Sequence, residues 1–583
     1  MNTWLRKFKC IILERHRLKL VSSLNKALSE MALSGSHSYS KRTRPLIIIA
    51  SIRKEATFYR VLDLLLGMYL EKKGARVQII GNDKVLAHED YGKWAFDDTS
   101  VVKTSKRILV KALIKLLSVI RRCWWSKMEK EADLYGLDLR FFPKFFGYSK
   151  ILNVRDVNFA KNRAAEKIKE YRQGLRLPSQ IEASHRRYFG GRDFDWKNPL
   201  HCQYAEKSFF NEGIAIQLVQ KIIAKEKPDL VLTLDGIYST AGCLLEAFKK
   251  MDVPHLIYQD GGENSRKFRF SKNHCSIPRP EQDWLRFCSE LSKGRRLPSI
   301  DSGVPALVRR LSCDLENPNK FEKQFLDRHQ NRLIAANRVV GIFPNLTWDG
   351  AIRERDTIFK SLNDWAEKTL ESSNERSDSV FIFREHPYSR GFLDPHESCI
   401  YLLKEKYGSL ERCFPNVIFL DGSTRIRSYW LIKKIIDCSV VYNGTLGVEA
   451  AYLERPVLFA GNSPYRHCRI GFAPETTEEY FNLLRTLNPQ SKEFKVIKNG
   501  LKERAILAYD YHFYDNFHYF PILPRWESYS LAWDKYWDDW DLKISKLDPE
   551  KNSELDSTID YILSHCDKKN TSCNKNDISE LER

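Results

Sequence analysis

The sequence predicts an α/β protein with two parallel-sheet halves, and three observations carry that prediction. Short continuous apolar runs, "PLIIIASI" (45–52), "LVLTL" (230–234) and "SVFIFR" (379–384), read as strands buried on both faces. Segments with helical spacing separate them, and the alternation occurs twice, once before about residue 260 and again from "VVGIFPN" onward. At 583 residues, with 43% hydrophobic and 12% aromatic content, the chain is too long for one core and too apolar to stay unfolded.

The N-terminal arm, 1–40, is basic, and Arg6, Lys7, Lys9, Glu14, Arg15, Arg17 and Lys19 interrupt every apolar run in it. It therefore reads as neither a secretory signal nor a membrane span. The first strand follows at Pro45–Ile52. "TFYRVLDLLLGMYLEKKG" has helical spacing and stops at Gly74, a natural C-terminal cap, and "ARVQIIGND" is the next strand. In 103–125, Lys103, Arg107, Lys111 and Lys115 line one helical face and Leu109, Leu113, Leu116, Ile120 and Trp124 the other. Two readings stand: an anchor on an anionic membrane surface, or a solvated helix packed on its own domain. Leu230–Leu234 is a strand, Thr240–Lys250 a helix, and His255–Tyr258 a strand ending at Gln259-Asp260-Gly261-Gly262. Residues 313–333 read as a connecting region.

In the second half a strand ends at Arg384-Glu385-His386-Pro387, and "NVIFLDG" is another strand. "LIKKIIDCSVVYNGTLGVEAAYLERPVLFAG" supplies helix, strand, turn, helix and strand. The expected domains are 41–325 and 326–500, followed by aromatic helices at 501–550 and an unfolded polar tail at 551–583.

A formal net charge of +20 points to anionic partners: nucleic acid, lipid head groups or phosphorylated small molecules. No RNA-recognition signature, zinc finger or basic zipper is present, so nucleic acid is not expected. The 13 cysteines include no CxxC pair, which argues for reduced thiols and a cytoplasmic location.

In open parallel sheets, ligands sit beyond the carboxyl ends of strands. Three sequence features belong there. In Asn443-Gly444-Thr445-Leu446-Gly447, the glycines allow an anion close to the backbone and Thr445 adds a hydroxyl. Glu449 falls in the first helical turn, where it is favoured by the helix dipole and placed to bind ribose hydroxyls. His386-Pro387 fixes a histidine at a strand end, and Arg384 can share its direction. Asp260 ends a strand of the first half as a candidate general base, with Glu263 competing, and Asp235-Gly236 is a second acidic turn for an acceptor side. Each also has a plain structural reading as a turn, a helix start or a strand end. Neither GxGxxG nor a Walker motif occurs.

Taken in order, carboxylate-Gly, His-Pro and Gly-Thr turn with a following Glu, these features resemble the GT-B glycosyltransferases of bacterial surface-polysaccharide assembly, in particular capsule-type Kdo transferases and sialyltransferases. The resemblance covers roughly 230–480 and includes "GIFPNLTWDGA" and "SPYRHCRIGF". It implies two Rossmann-like domains facing a cleft and transfer from a nucleotide sugar, a CMP-sugar favoured, to a glycan or glycolipid. It implies Asp260 as base, and His386 with Thr445 and its glycines on the donor phosphate. Tyr465 or Arg466 would lie nearby. Gln259 and Asn443 depart from the usual acidic and serine residues at their positions. No DxD lies between Asp260 and His386. The spacing at Asp193/Asp195 and at Asp539/Asp541 follows no clear buried strand, so no metal and no cofactor are expected. The rival expectations are a sugar-nucleotide epimerase of the same architecture and a non-catalytic membrane-associated scaffold.

Overall fold

The computed structural model describes residues 44–51, 57–81, 85–86, 144–260, 267–272, 279–294, 304–349, 358–387, 398–515, 517–520 and 553–566. The arm 1–40, the basic segment 103–125, Glu263 and all of 521–550 lie outside them. The strands are β1 (Leu46–Ser51), β2 (Arg76–Gly81), β3 (Lys144–Gly147), β4 (Leu230–Leu234), β5 (His255–Asp260) and β6 (Lys267–Ser271). They continue with β7 (Arg338–Phe343), β8 (Ser379–Arg384), β9 (Val417–Leu420), β10 (Cys438–Val441), β11 (Val457–Phe459) and β12 (Phe517–Tyr519).

The chain forms two compact units. One holds Met1–Lys169, Glu206–Asn273 and Asn516–Arg583; the other holds Glu170–Ala205 and His274–Asp515. This corrects the expected division at 325/326. Residues 170–205 pack with the second unit, and the chain returns to the first unit after Asp515.

The first unit is a seven-stranded sheet in the order β12-β6-β5-β4-β1-β2-β3. Strands β1 to β5 are parallel and run 3-2-1-4-5 across the sheet, the doubly wound order. β6 joins β5 antiparallel and β12 joins β6 antiparallel. The two-residue period of a strand divides the core. Ile47 and Ile49 face one cluster with Leu66, Leu70 and Phe268, while Ile48 and Ala50 face another with Ile214, Leu218 and Leu244.

The polar tail was expected to stay unfolded. Instead Ser553–Ser564 is a helix whose Leu555, Ile559 and Ile562 are at most 1% exposed in the same core as Ile47. Three apolar residues at helical spacing suffice to seat it despite the polar composition around them. Phe517–Tyr519, expected to be helical, is β12, while the preceding Leu501–Phe513 is helical as expected.

The second unit is a five-stranded parallel sheet, β11-β10-β7-β8-β9, again in the 3-2-1-4-5 order. β7 and β8 are buried along their whole length, which is why their sequences are apolar without alternation. The stretch read as a connector contains the helix Lys320–Ala335. It starts with a reciprocal capping box in which Asn319 accepts from the Phe321 and Glu322 backbone and Glu322 accepts from the Asn319 N–H. Glu322 is fully buried because the Arg427 guanidinium grips both of its oxygens, at 2.8 and 2.6 Å.

Candidate functional site

In the doubly wound order the sheet reverses between its first and fourth strands, and loops leaving those strands part in opposite directions. In the second unit that switch point lies between β7 and β10. The β10 exit carries Asn443, Gly444 and Thr445, and the β7 exit carries Asn345. The two exits touch: a methyl group placed on Gly444 would stand 3.3 Å from Asn345 Oδ1. Gly444, Thr445 and Leu446 are partly exposed. The Thr445 hydroxyl makes no cap hydrogen bond to the helix that begins after it. Asn443 is 1% exposed, and neither its Oδ1 nor its Nδ2 has a hydrogen-bond partner among the described residues. Such a buried amide is costly and calls for an explanation.

Gly447, expected to admit an anion, serves packing. A methyl there would lie 2.4 Å from Phe459 Cε1 and 2.9 Å from Cζ, so the glycine lets the helix Leu446–Tyr452 press onto β11. Tyr465, expected near the donor, is fully buried in the unit's core, its ring 5.1 Å from that of His512.

β8 delivers Arg384, Glu385, His386 and Pro387. Arg384 is 4% exposed. Its Nη1 donates to the Asp421 carbonyl at 2.5 Å, and its Nη2 to those of Thr424 at 2.9 Å and Ile426 at 3.3 Å. It therefore pins the loop after β9, which corrects its expected phosphate contact. Glu385 is equally buried, accepting from the Ile400 and Gly422 N–H groups. His386 is half-buried and Pro387 exposed. Burial and then the Arg384 charge pull the His386 ring down to about 4; Asp349 opposes this and Arg310 adds to it. At neutral pH the ring is uncharged and can donate one N–H.

Glu449 was expected to reach a ribose. Its carboxylate is 1% exposed, and its Oε1 accepts from Arg310 Nε at 2.6 Å and from the Tyr429 hydroxyl at 3.2 Å. The structure gives it a holding task instead. Burial, then Glu449, pushes the Tyr429 phenol up, so it stays a donor.

The loop after β7 is clamped from one side by residues 187–193. Gly191, at φ +86°, lies so close to Thr347 that a methyl would stand 2.5 Å from its carbonyl carbon. The Arg187 guanidinium lies 4.7 Å from the Trp348 ring centroid. This fixes Asn345 and Asp349, which sequence reasoning missed although "GIFPNLTWDGA" had drawn notice. Asp193 is bound to Arg186 and to Ser361, and Asp195 to the Lys197 N–H. Among the described residues no three His, Cys, Asp or Glu side chains gather at metal-ligand spacing.

At the opposite, amino ends of β7 and β8 is a cavity of about 460 Å³ lined by Arg338, Lys368, Arg376 and Arg485 with Glu371 and Glu375. Three of its cations have protein partners: Arg338 donates through Nη1 to the Leu484 and Arg485 carbonyls, Arg376 to Asp378 and Lys368 to Asp364.

In the first unit, Asp235 and Gly236 leave β4 with φ of +43° and +67°. The Asp235 N–H bonds the Tyr258 carbonyl of β5, and its carboxylate accepts from the Ile237 N–H at 3.3 Å. A non-glycine residue held at positive φ is strained and often functional. Asp260 is the last residue of β5, paired to Phe268 of β6. Asp260 and the Asp235-Gly236 turn thus occupy the carboxyl ends of adjacent parallel strands.

No family model and no curated protein matches the sequence. Among solved structures, the chain is similar at 15% identity to the beta Kdo 2,7 transferase KpsC of Thermosulfurimonas dismutans, over 50% of this chain and 80% of that one, with a TM-score of 0.29. It is similar at 12% identity to UDP-GlcNAc 2-epimerase from Neisseria meningitidis bound to UDP-GlcNAc, over 80% and 99%, with a TM-score of 0.25. It is similar at 10% identity to the S. aureus MnaA–UDP co-structure, over 81% and 93%, with a TM-score of 0.26. Likenesses this low carry no argument about activity, and the site stands on its own residues. Among the described residues, no helix is long and apolar enough to cross a membrane.

Proposed function

We propose that the protein is a GT-B glycosyltransferase that binds a nucleotide-activated sugar at the switch point of the second unit. The observation that carries this reading is the meeting of Asn345, Asn443, Gly444 and Thr445 where the β7 and β10 exits part, in a sheet whose β8 exit presents His386. A phosphate seated there takes N–H groups from the Gly444–Thr445 turn, the Thr445 hydroxyl and the neutral His386 ring. The Asn443 amide gains its missing partners from the ligand or from water held with it. Asp260, at a strand end of the first unit, acts as general base: its carboxylate takes the proton of an acceptor hydroxyl as that oxygen attacks the anomeric carbon and the nucleotide phosphate leaves. Direct displacement of this kind inverts the anomeric configuration, and no step calls for a metal ion. A CMP-sugar is the favoured donor and a surface polysaccharide or glycolipid the acceptor, with 103–125 bringing the enzyme to an anionic membrane surface.

A thermal-shift panel of CMP-, UDP- and GDP-sugars tests the donor side, since a ligand stabilises the state that binds it. One nucleotide class should raise the melting temperature, and Asp260→Asn should keep that rise while stopping transfer. Failure of every sugar nucleotide to shift the protein overturns the reading. The epimerase reading shares this site but requires no acceptor; conversion of the sugar nucleotide when incubated alone would favour it.

A further inference from the structure

The second unit holds a cavity of about 410 Å³ between the helices Leu362–Ser373 and Cys399–Tyr407 and the segment 192–201. Small-molecule sites run from about 300 to 1,000 Å³. The proposed transfer makes no use of this one. His201 lines it and is 5% exposed. The Asp195 N–H donates to His201 Nδ1 at 3.0 Å, so Nδ1 carries the lone pair and the ring proton sits on Nε2. Burial lowers the ring from its ordinary 6.5, Asp195 opposes this and Arg192 adds to it, which leaves the ring uncharged at neutral pH. Phe189 and His185 pack on it, at 4.3 and 4.5 Å between centroids. Both nitrogens of His185 are sealed in the core, whereas Nε2 of His201, also without a partner among the described residues, is not sealed and opens to the cavity.

Three more groups on the wall keep unused hydrogen-bonding capacity. Asn198 Oδ1 accepts from the Leu200 N–H at 3.0 Å and caps the helix Pro199–Glu226, which leaves the Nδ2 donors. Asn363 Nδ2 donates to the Gly191 carbonyl at 3.0 Å, which leaves Oδ1. Glu367 holds Lys406 through Oε2 at 2.6 Å, which leaves Oε1. The charges on the wall all have protein partners: Arg192 pairs with Glu405, Asp193 with Arg186 and Glu367 with Lys406. Burial, then the Glu385 charge, pushes the Cys399 thiol well up, so it is no nucleophile. Leu402 and Leu403 supply an apolar patch.

We propose that this cavity binds one neutral sugar residue. His201 Nε2 and Asn198 Nδ2 donate to its hydroxyl oxygens, Asn363 Oδ1 and Glu367 Oε1 accept from its hydroxyls, and its C–H face lies on Leu402 and Leu403. A sugar hydroxyl both donates and accepts. Two donors and two acceptors around one cavity, with the nearby charges already paired, suit it better than a phosphate or a carboxylate. None of these groups belongs to the donor site, and the proposal does not rest on the transferase reading.

The test is saturation-transfer NMR of the full chain with methyl glucoside, methyl galactoside, N-acetylglucosamine and their linear oligosaccharides. At least one neutral sugar should receive saturation. Asn198→Asp keeps the helix cap and removes the Nδ2 donors. His201→Phe keeps an aromatic ring in the cluster and removes the Nε2 donor. Each should weaken binding about threefold to tenfold, the loss of one hydrogen bond. Leu402→Trp fills the cavity and should abolish binding, with thermal melts showing which variants stay folded. A glycan chain as the occupant shows as oligosaccharides binding about tenfold more tightly than the methyl glycoside, and equal affinity identifies a single sugar. Absence of saturation transfer to every sugar overturns the proposal. So does binding that survives both Leu402→Trp and Asn198→Asp in folded chains. Sugar binding here without any thermal shift by a sugar nucleotide overturns the transferase reading alone, and the reverse result overturns this site alone.

Discussion

Replacing Gly447 by alanine separates the two glycines of the Asn443–Gly447 turn, one of which packs and one of which is proposed to face the donor. The new methyl would stand 2.4 Å from Phe459 Cε1, 2.9 Å from Cζ and 3.4 Å from Val441 Cγ2. Phe459 is 1% exposed and lies between buried Leu458 and Ala460, so its ring has nowhere to swing. Alanine would favour a helix over glycine by about 1 kcal/mol. Overpacking a filled core costs about 1–3 kcal/mol, and two contacts below 3 Å place this site at the upper end. The clash wins, for a net loss of about 1–2 kcal/mol. In a unit of this size that lowers the melting temperature by several degrees. Gly444→Ala meets only the half-buried Asn345 amide at 3.3 Å, which can yield by a few tenths of an ångström. It should change stability by about 0.5 kcal/mol or less, yet weaken sugar-nucleotide binding by crowding the turn. Scanning fluorimetry and calorimetric titration of both variants check the pair. An unmoved melting temperature for Gly447→Ala, or native affinity for Gly444→Ala, refutes the division of labour.

His386 gives a pH prediction with a definite sign. Its pKa in the fold, about 4, lies below the ordinary 6.5, so the folded state resists protonation. Stability is full above pH 6.5 and falls as pH drops toward 4, by at most about 3 kcal/mol. Urea titrations at stepped pH should show this slope in the native chain and less of it in His386→Asn. An anionic donor reverses the pressure on the ring, so binding should take up a proton and tighten as pH falls from 7 to 5. Titration calorimetry in buffers of different ionisation enthalpy reads that uptake, and its absence together with native donor affinity in His386→Asn removes His386 from the phosphate. Arg384→Met should destabilise the second unit by about 3 kcal/mol or more, since it removes three hydrogen bonds from a charged donor, and speed tryptic cleavage at Arg425 or Arg427. Native cleavage rates would mean that the loop does not depend on Arg384. Ile559→Asp should release the helix Ser553–Ser564 from the first unit, at a cost of about 3 kcal/mol or more. Hydrogen exchange in that helix should then rise to the level of an exposed peptide, and retained protection would place its anchor elsewhere.

Much of this architecture was legible because parallel strands buried on both faces leave unbroken apolar runs. Leu46–Ala50 of "PLIIIASI", "LVLTL" and "SVFIFR" all lie in sheet interiors. What escaped reading depends on partners distant in sequence. Three residues, Leu555, Ile559 and Ile562, seat a helix whose overall composition is polar, and their partners include Ile47 and Phe268. The capping box at Asn319 and Glu322 is a local signal that the reading of 313–333 as a connector passed over, and the burial of Glu322 needs Arg427, 105 residues away. The sequence put His386 and the Asn443–Thr445 turn at strand ends, and they follow β8 and β10. Arg384 was assigned by alternation alone, and the loop carbonyls of 421–426 that claim its guanidinium lie about 40 residues on. Glu449 was read from helix position, which says nothing of an arginine 139 residues earlier. Gly447 illustrates the same limit, since a glycine after a strand looks alike whether its missing side chain makes room for a phosphate or for Phe459.

The central claim is that a sugar nucleotide occupies the carboxyl ends of β7, β8 and β10. Hydrogen exchange with and without the sugar nucleotide that most stabilises the protein tests it most directly. The account predicts slowed exchange at 344–349, 385–387 and 442–447. Protection that appears instead around Arg338, Lys368 and Arg376, at the amino ends of the same sheet, would contradict it.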